Sequence, residues 1–334
     1  MRVPKAAWWA IALVCVGVLT VVAAISAHNS AGSADARSKL TIYAPAAPGG
    51  GWDLVAREAQ QAMRTNDIVK NVQVVNVPGA GGTIGLGQLS QKTGEGGALM
   101  VTGTVMMGGI VRNDAQVDLA EMTPIARVAE DFEVIAVPAD SNLKTMADLV
   151  AAWKANPHTF PIGGGSAGGI DHMIAGLLAR AAGLPAADMR YAAYAGGGEL
   201  TGKLLSDAPG TPEVGISGFN DFRDLIEDGR LRALMVVAPE RLAGVEEVPT
   251  SAEAGFPQVN LVNWRGFVAP PGLSKAQQDT LIQMVQEMVG TEQWQAAVTR
   301  NRWKENWLAG EEFRTFLVEE QKRITGILQD LGLA

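Results

Sequence analysis

The sequence predicts an α/β protein of two doubly wound sheets joined by two extended crossing strands. Three observations carry that expectation. The chain has 334 residues, more than one ordinary core accommodates and suited to two domains. After a polar linker, short apolar runs alternate with helix-like runs, the order of a parallel sheet with crossover helices. Many of the 39 glycines fall in loops directly after apolar runs, at the carboxyl ends of the expected strands, where open parallel sheets bind ligands.

Residues 1–36 stand apart from that alternation. Arg2 and Lys5 precede an uncharged apolar run over 6–27, a basic n-region followed by an h-region. The run reaches the length of a membrane anchor, and Ala34-Asp35-Ala36 offers a cleavage site. The reading is an exported, periplasmic or otherwise extracytoplasmic protein cleaved within 24–36; a retained tether is the alternative. Val14 before Cys15 and Val16-Gly17-Val18 after it argue against lipid attachment. Residues 28–38 are small and polar and form a linker.

The first strand, 40–43, leads through Gly49, Gly50 and Gly51 to a helix over 54–63. Glycines let the backbone turn sharply and approach a ligand closely. Asp53 is placed to cap that helix, and free N–H groups beside a helix N-terminus suit an anion. By itself the loop serves equally as a plain strand-to-helix turn. If Asp53 acts as a cap, asparagine serves there nearly as well. A strand at 72–77 ends in Pro78-Gly79-Ala80-Gly81-Gly82, ahead of a helix over 83–91. A strand at 98–101 passes through Thr102-Gly103-Thr104 into a helix over 105–111.

The run 125–137 has few breakers and reads as the first crossing. A helix over 146–155, a short strand at 160–162, a loop of five glycines at 163–169 and a helix over 170–182 follow. Gly183 and Pro185 stop that helix. A strand at 189–194 meets Ala195-Gly196-Gly197-Gly198 and a helix over 199–206. Strands at 214–217 and 231–237 flank a helix over 220–227. The run 259–269, ending at Pro270-Pro271, reads as the return crossing. The remainder reads as helical, over 275–289, 292–298 and 311–331. Trp294, Trp303, Trp307 and Phe313 pack these helices onto the first domain. Residues 37–136 and 264–334 thus form one lobe and 137–263 the other, with hinges near 134–137 and 262–267. Two glycine-lined faces opposed across a cleft make a clamp that closes by hinge motion.

Composition narrows the function. A net charge of −8 argues against nucleic acid and anionic membrane as partners, while leaving a local anion site open. Cys15 is the only cysteine, so the exported part has no disulfide, no Cys metal site and no thiol nucleophile. His28, His158 and His172 lack metal-ligand spacing. Gly164-Gly165-Ser166-Ala167-Gly168 matches the G-x-S-x-G nucleophile elbow between a strand and a helix, which makes a secreted α/β hydrolase a rival. No His follows His172, and His172 lies too close in sequence to Ser166 to serve as its base. Ser166 reads better as an N-cap and ligand donor. Gly79–Gly85 loosely follows G-x-G-x-x-G, yet Leu99-Met100-Val101-Thr102 supplies no ribose-binding carboxylate. No G-K-[ST] follows any glycine loop. Asp171-His172 either orients a ligand water or forms a capping pair.

Several motifs, in order from residue 40 to the C-terminus, resemble one family. They are P-G-G-G-W-D ending at Asp53, N-x-P-G-A-G-G from Asn76, G-G-G-S-A-G-G-x-D-H ending at His172, and Tyr191 followed by G-G-G-E ending at Glu199. V-P-T-x-x-E-x-G from Val248 and N-W-R-G-F-V-A-P-P-G from Asn263 complete the set. The chain is similar to the periplasmic solute-binding proteins of tripartite tricarboxylate transporters. The resemblance implies a two-lobed Venus-flytrap (type II periplasmic-binding-protein) fold, no catalysis and no cofactor. It implies a monomer that takes a small carboxylate, such as citrate or a related acid, to a two-subunit membrane permease. A ligand-sensing domain of a signalling system is a further alternative. Carried over by position, the loop residues Gly49, Gly50, Gly51 and Asp53, then Ala80, Gly81 and Gly82, line the cleft. So do Gly165, Ser166, Ala167, Gly168 and His172, and Ala195, Gly196, Gly197 and Gly198. Thr104 and Ser217 join them at strand ends. Such a site holds its ligand largely through backbone N–H groups, with almost no Lys or Arg.

Overall fold

The short apolar runs pair into two open sheets. In the computed structural model, which describes residues 36–206 and 208–334, β1 (Lys39–Ala44), β2 (Asn71–Asn76) and β3 (Ala98–Gly103) run parallel. Helices α1 (Gly51–Thr65) and α2 (Thr83–Ser90) connect them, and α3 (Thr104–Arg112) follows β3. α1 buries Trp52, Val55, Ala56, Ala59, Ala62 and Met63, the spacing of one apolar helix face. The expected targeting segment lies outside the described residues; no described helix is long and apolar enough to cross a membrane.

β4 (Thr123–Asp131) leaves this sheet, and β10 (Asn263–Ala269) returns to it. The two pair antiparallel, and β10 also pairs antiparallel with β3. A chain that departs and comes back must enter in the opposite direction, so the sheet is mixed rather than parallel throughout. β3 and β10 are buried at every residue, as strands covered on both faces should be. β11 (Lys304–Ala309) closes the edge against β4, giving the order β11-β4-β10-β3-β1-β2.

The second sheet contains β5 (Glu133–Pro138), β6 (Pro161–Gly164), β7 (Arg190–Ala193), β8 (Val214–Gly218) and β9 (Leu231–Val237), ordered β7-β6-β8-β5-β9. Helices α4 (Met146–Ala155), α5 (Ile170–Ala181), α6 (Gly197–Leu204) and α7 (Phe219–Glu227) accompany it. α8 (Lys275–Val289), α9 (Glu292–Arg300) and α10 (Gly310–Asp330) return to the first sheet. The buried indole of Trp264 on β10 meets Phe313 and Phe316 of α10 edge-on, with centroids 5.8 and 5.3 Å away.

Three expectations need correction. Only Phe132 separates β4 from β5, and residues 133–136 pair with β8 and β9 of the second sheet. The chain therefore changes sheet earlier than the expected boundary after Ala136. The expected return strand over 259–269 is regular only from Asn263. The C-terminal remainder is not all helical: Lys304–Ala309 forms an edge strand whose Trp307 is 38% exposed. Trp294, Trp303 and Phe313 are buried as expected.

Candidate functional site

The two crossings meet directly. Asn263 stands opposite Asp131 in the β10–β4 register, and its Nδ2 donates to Glu133 Oε1 at 2.6 Å. Above this junction lies a cleft of about 750 Å³ lined from both lobes, within the range of small-ligand sites. Thirteen expected residues line it: Gly49, Gly50, Gly51, Asp53, Ala80, Gly81, Gly82, Gly165, Ser166, Ala195, Gly196, Gly197 and Ser217. Thr104, Ala167, Gly168, His172 and Gly198 are not among its lining residues. The Thr104 hydroxyl instead donates to the Val262 carbonyl at 2.9 Å, fastening α3 to the return crossing.

Helix ends explain why glycine crowds this cleft. α1, α5, α6 and α7 enter through Gly50, Gly169, Gly196 and Gly218, and no N-cap side chain bonds their first turns. α4, α8 and α9, which start elsewhere, are capped by Thr145, Ser274 and Thr291; α10, entered through Ala309, also lacks a side-chain cap. The first helical bonds of α1, α5 and α6 run from Leu54 to Gly50, Met173 to Gly169 and Leu200 to Gly196. The N–H groups of the preceding three residues in each helix stay outside the helical ladder.

The same device steadies each of these four loops. The third residue of the helix reaches back to the residue before the glycine cap. Asp53 Oδ2 accepts from the Gly49 N–H at 2.8 Å, His172 Nδ1 from the Gly168 N–H at 3.0 Å, and Glu199 Oε2 from the Ala195 N–H at 3.0 Å. Asp221 Oδ2 accepts from the Ser217 hydroxyl at 2.6 Å.

This geometry corrects the roles of Asp53 and Ser166, and of the two readings of Asp171-His172 it matches the capping pair, since Asp171 Oδ2 also accepts from the Gly165 N–H at 2.6 Å. Asp53 is not the N-cap; it consumes the Gly49 N–H, and the Gly50 N–H goes to the Ala47 carbonyl at 3.1 Å. Among the three glycines only Gly51 offers its N–H at the helix end. Ser166 is not a cap either, since Gly169 is. His172 stacks on Tyr191 with centroids 4.2 Å apart. Burial, aided by the charge of Arg112, holds its imidazole neutral with a pKa lowered to about 4, which suits the acceptor role at Nδ1. It serves the Gly168 N–H rather than Ser166.

Asp53 is almost fully buried and uses both oxygens. Oδ1 accepts from Asn76 Nδ2 at 2.8 Å, and Oδ2 accepts from Arg57 Nε at 2.9 Å as well as from Gly49. Burial pushes this carboxyl up, but the hydrogen bonds from Arg57, Gly49 and Asn76 outweigh it and leave the pKa lowered. Asparagine has one acceptor oxygen, so Asp53→Asn turns one of these contacts into donor against donor. We expect a loss of about 1–3 kcal/mol in urea unfolding. A loss below about 0.5 kcal/mol would restore the simple capping role.

The floor holds residues that sequence reasoning missed, Asp131, Glu133, Asp221, Asn263 and Arg265, beside Asp171, which it had named; all line the cleft. Arg265 Nη2 donates to Asp131 Oδ2 at 2.9 Å, with both side chains buried. A Cβ on Gly51 would stand 2.9 Å from that Nη2, so the guanidinium lies against the open end of α1, a favourable place for an anion. Burial first, then the neighbouring Asp171 and Asp131, pushes the Glu133 carboxyl well up. Burial raises Asp171 to about 6 against the opposing Gly165 hydrogen bond, and raises Asp221 against the Ser217 hydrogen bond. One signal for Arg265 was legible: a lone charge inside the apolar strand N-W-R-G-F-V-A.

Comparison with known proteins agrees with this architecture. The family model described as a tripartite tricarboxylate transporter family receptor matches residues 55–333. Protein BugT of Bordetella pertussis is 24% identical over 324 residues, covering 96% of this chain and 97% of that protein. The solved periplasmic binding protein BugD superposes with a TM-score of 0.77 at 20% identity, covering 89% of this chain and 98% of that one. MatC from Rhodopseudomonas palustris, solved with bound malate, gives 0.76 at 20% identity, covering 87% and 99%. These structures share the two-lobed Venus-flytrap fold. The chain belongs to the tripartite tricarboxylate transporter family receptors.

Proposed function

We propose that the protein captures a small carboxylate between its lobes and presents it to a two-subunit permease of the tripartite tricarboxylate type, acting as a monomer and without catalysis. One observation carries this reading. Helix N-termini from both lobes open without side-chain caps onto one cleft. A carboxylate bridging such ends collects several backbone N–H bonds and the favourable end of more than one helix dipole. Arg265 beside Gly51 adds positive charge at the same place. That MatC was solved with malate agrees with this ligand class. Closure turns on the single-residue link at Phe132 and on the approach to Asn263.

Ligand bound only by the folded protein stabilises it, by about 2.7 kcal/mol at a concentration of about 100 Kd. A thermal-shift screen of citrate, tricarballylate, succinate, aspartate and aromatic acids should therefore give at least one clear rise in Tm. No shift with any of them rejects the carboxylate reading. Ester hydrolysis is not expected, because the imidazole nearest Ser166 in sequence is committed to the Gly168 N–H.

A further inference from the structure

The floor of the cleft has the wrong charge for a ligand that is anionic throughout. Its lining contains Asp53, Asp131, Glu133, Asp171 and Asp221, but only Arg57 and Arg265 as cations. Asp53 pairs with Arg57 and Asp131 with Arg265. Among the described residues, Glu133, Asp171 and Asp221 have no cationic partner within salt-bridge distance.

The unpartnered atoms are specific. Glu133 is 1% exposed, Asn263 3% and Asp171 8%. Glu133 Oε2, Asn263 Oδ1 and Asp171 Oδ1 are buried with no hydrogen-bond donor. These three are acceptors; two lining donors, Arg265 Nε and Trp52 Nε1, are also buried without partners, so the deficit of donors is local to the carboxylates around Glu133. Carboxylate oxygens also converge on one spot that is open because Gly218 has no side chain. From the position a Cβ on Gly218 would take, Asp131 Oδ2 lies 3.4 Å away, Glu133 Oε2 3.8 Å and Asp221 Oδ2 3.9 Å. No group of three or more acidic or histidine side chains among the described residues is arranged to hold a metal ion.

We propose that this floor is a subsite for a cationic nitrogen, and that the ligand is an amino-substituted carboxylate. The proposal rests on the carboxylate reading above and adds a second pole to it. The carboxylate lies on the uncapped helix ends and Arg265. The ammonium group lies over Gly218, donating toward Asp131, Glu133 and Asp221. An ammonium supplies three donors and a positive charge, which answers both deficits. Without ligand the excess charge is relieved by a proton that Glu133 shares with the adjoining Asp171 carboxyl. An ammonium displaces it.

The test is calorimetry on the wild-type protein with acids that differ only by an amino group: succinate against aspartate, glutarate against glutamate, and propionate against β-alanine. In the pair that fits the cleft, the amino acid should bind at least about tenfold more tightly. Its advantage should widen as pH rises from about 5 to about 8. Asp171, raised to about 6 and facing Glu133, Asp221, Tyr191 and Arg265, loses its proton over that rise while the ammonium keeps its charge. Glu133→Gln, which keeps shape but not charge, should narrow the preference; the wild-type pH series stands whether or not that variant folds. A plain acid that binds as tightly as its amino counterpart across that pH range overturns this proposal and leaves the carboxylate reading intact. No binding by any member of any pair, together with a failed thermal-shift screen, overturns both.

Discussion

Arg265→Gln should lose about 3–5 kcal/mol of stability, the largest effect of any single substitution in the cleft. Arg265 and Asp131 are a buried ion pair whose side chains are 7% and 8% exposed. Removing one partner leaves the other charge buried and uncompensated, which costs far more than the pair contributes as a unit. Here the consequence spreads. Arg265 is also the nearby positive charge that favours ionisation of Glu133, Asp171 and Asp221. Without it, four carboxyls crowd one floor. Glu133, Asp171 and Asp221 will hold protons in the folded state that the unfolded chain releases, so the folded variant binds more protons. Stability then falls as pH rises above the ordinary carboxyl range. The measured loss should be greater at about pH 8 than at about pH 5. Arg265→Lys retains the charge without the fork geometry and should lose less. Urea unfolding at the two pH values checks both claims. A loss under about 1 kcal/mol that does not change with pH would show that Arg265 is not the counter-charge of the floor.

The parts of this site legible in the sequence are those carried by short-range pattern. Glycine runs after apolar runs marked the loops, and thirteen of the expected residues line the cleft. The back-reaching side chains were legible too, though their meaning was not. Asp53, His172, Glu199 and Asp221 each stand four residues after Gly49, Gly168, Ala195 and Ser217. Reading Asp53 as a cap assigned it to the wrong residue because the helix begins earlier, within the glycines themselves. The acidic floor was invisible for a different reason. Asp131 and Glu133 end one crossing and begin a sheet, Asp171 and Asp221 sit on separate helices, and Arg265 returns on β10. The meeting of β4 with β10, together with the pairing of β5 and β6 with β8, assembles them. The edge strand β11 escaped because its burial follows no clean alternation, so K-E-N-W-L-A carries no period-two signal.

Gly108→Ala should weaken ligand binding by at least about tenfold while leaving the first lobe folded. Gly108 lies within α3 of the first lobe, and Gly168 lies in the loop before α5 of the second. A Cβ at Gly108 would overlap the Gly168 carbonyl oxygen and stand 3.0 Å from its carbonyl carbon. The obstacle is backbone, so no rotamer change relieves it. Nor is the loop free to yield: Gly168 has φ +78, and its own Cβ position lies 2.8 Å from Arg112 Cβ. The lobes must therefore separate at this contact, and donors from both sides of the cleft then fall out of reach of one small ligand. Within the helix itself the change is favourable, since alanine gains about 0.5–1 kcal/mol over glycine there. A binding defect would thus not come from an unfolded α3. Gly87→Ala on α2 is the matched control, because its Cβ would meet nothing within 4 Å. Calorimetry with the acid that gives the largest thermal shift should separate the two variants. Equal affinity for both would show that the lobes do not need this glycine contact to close on the ligand.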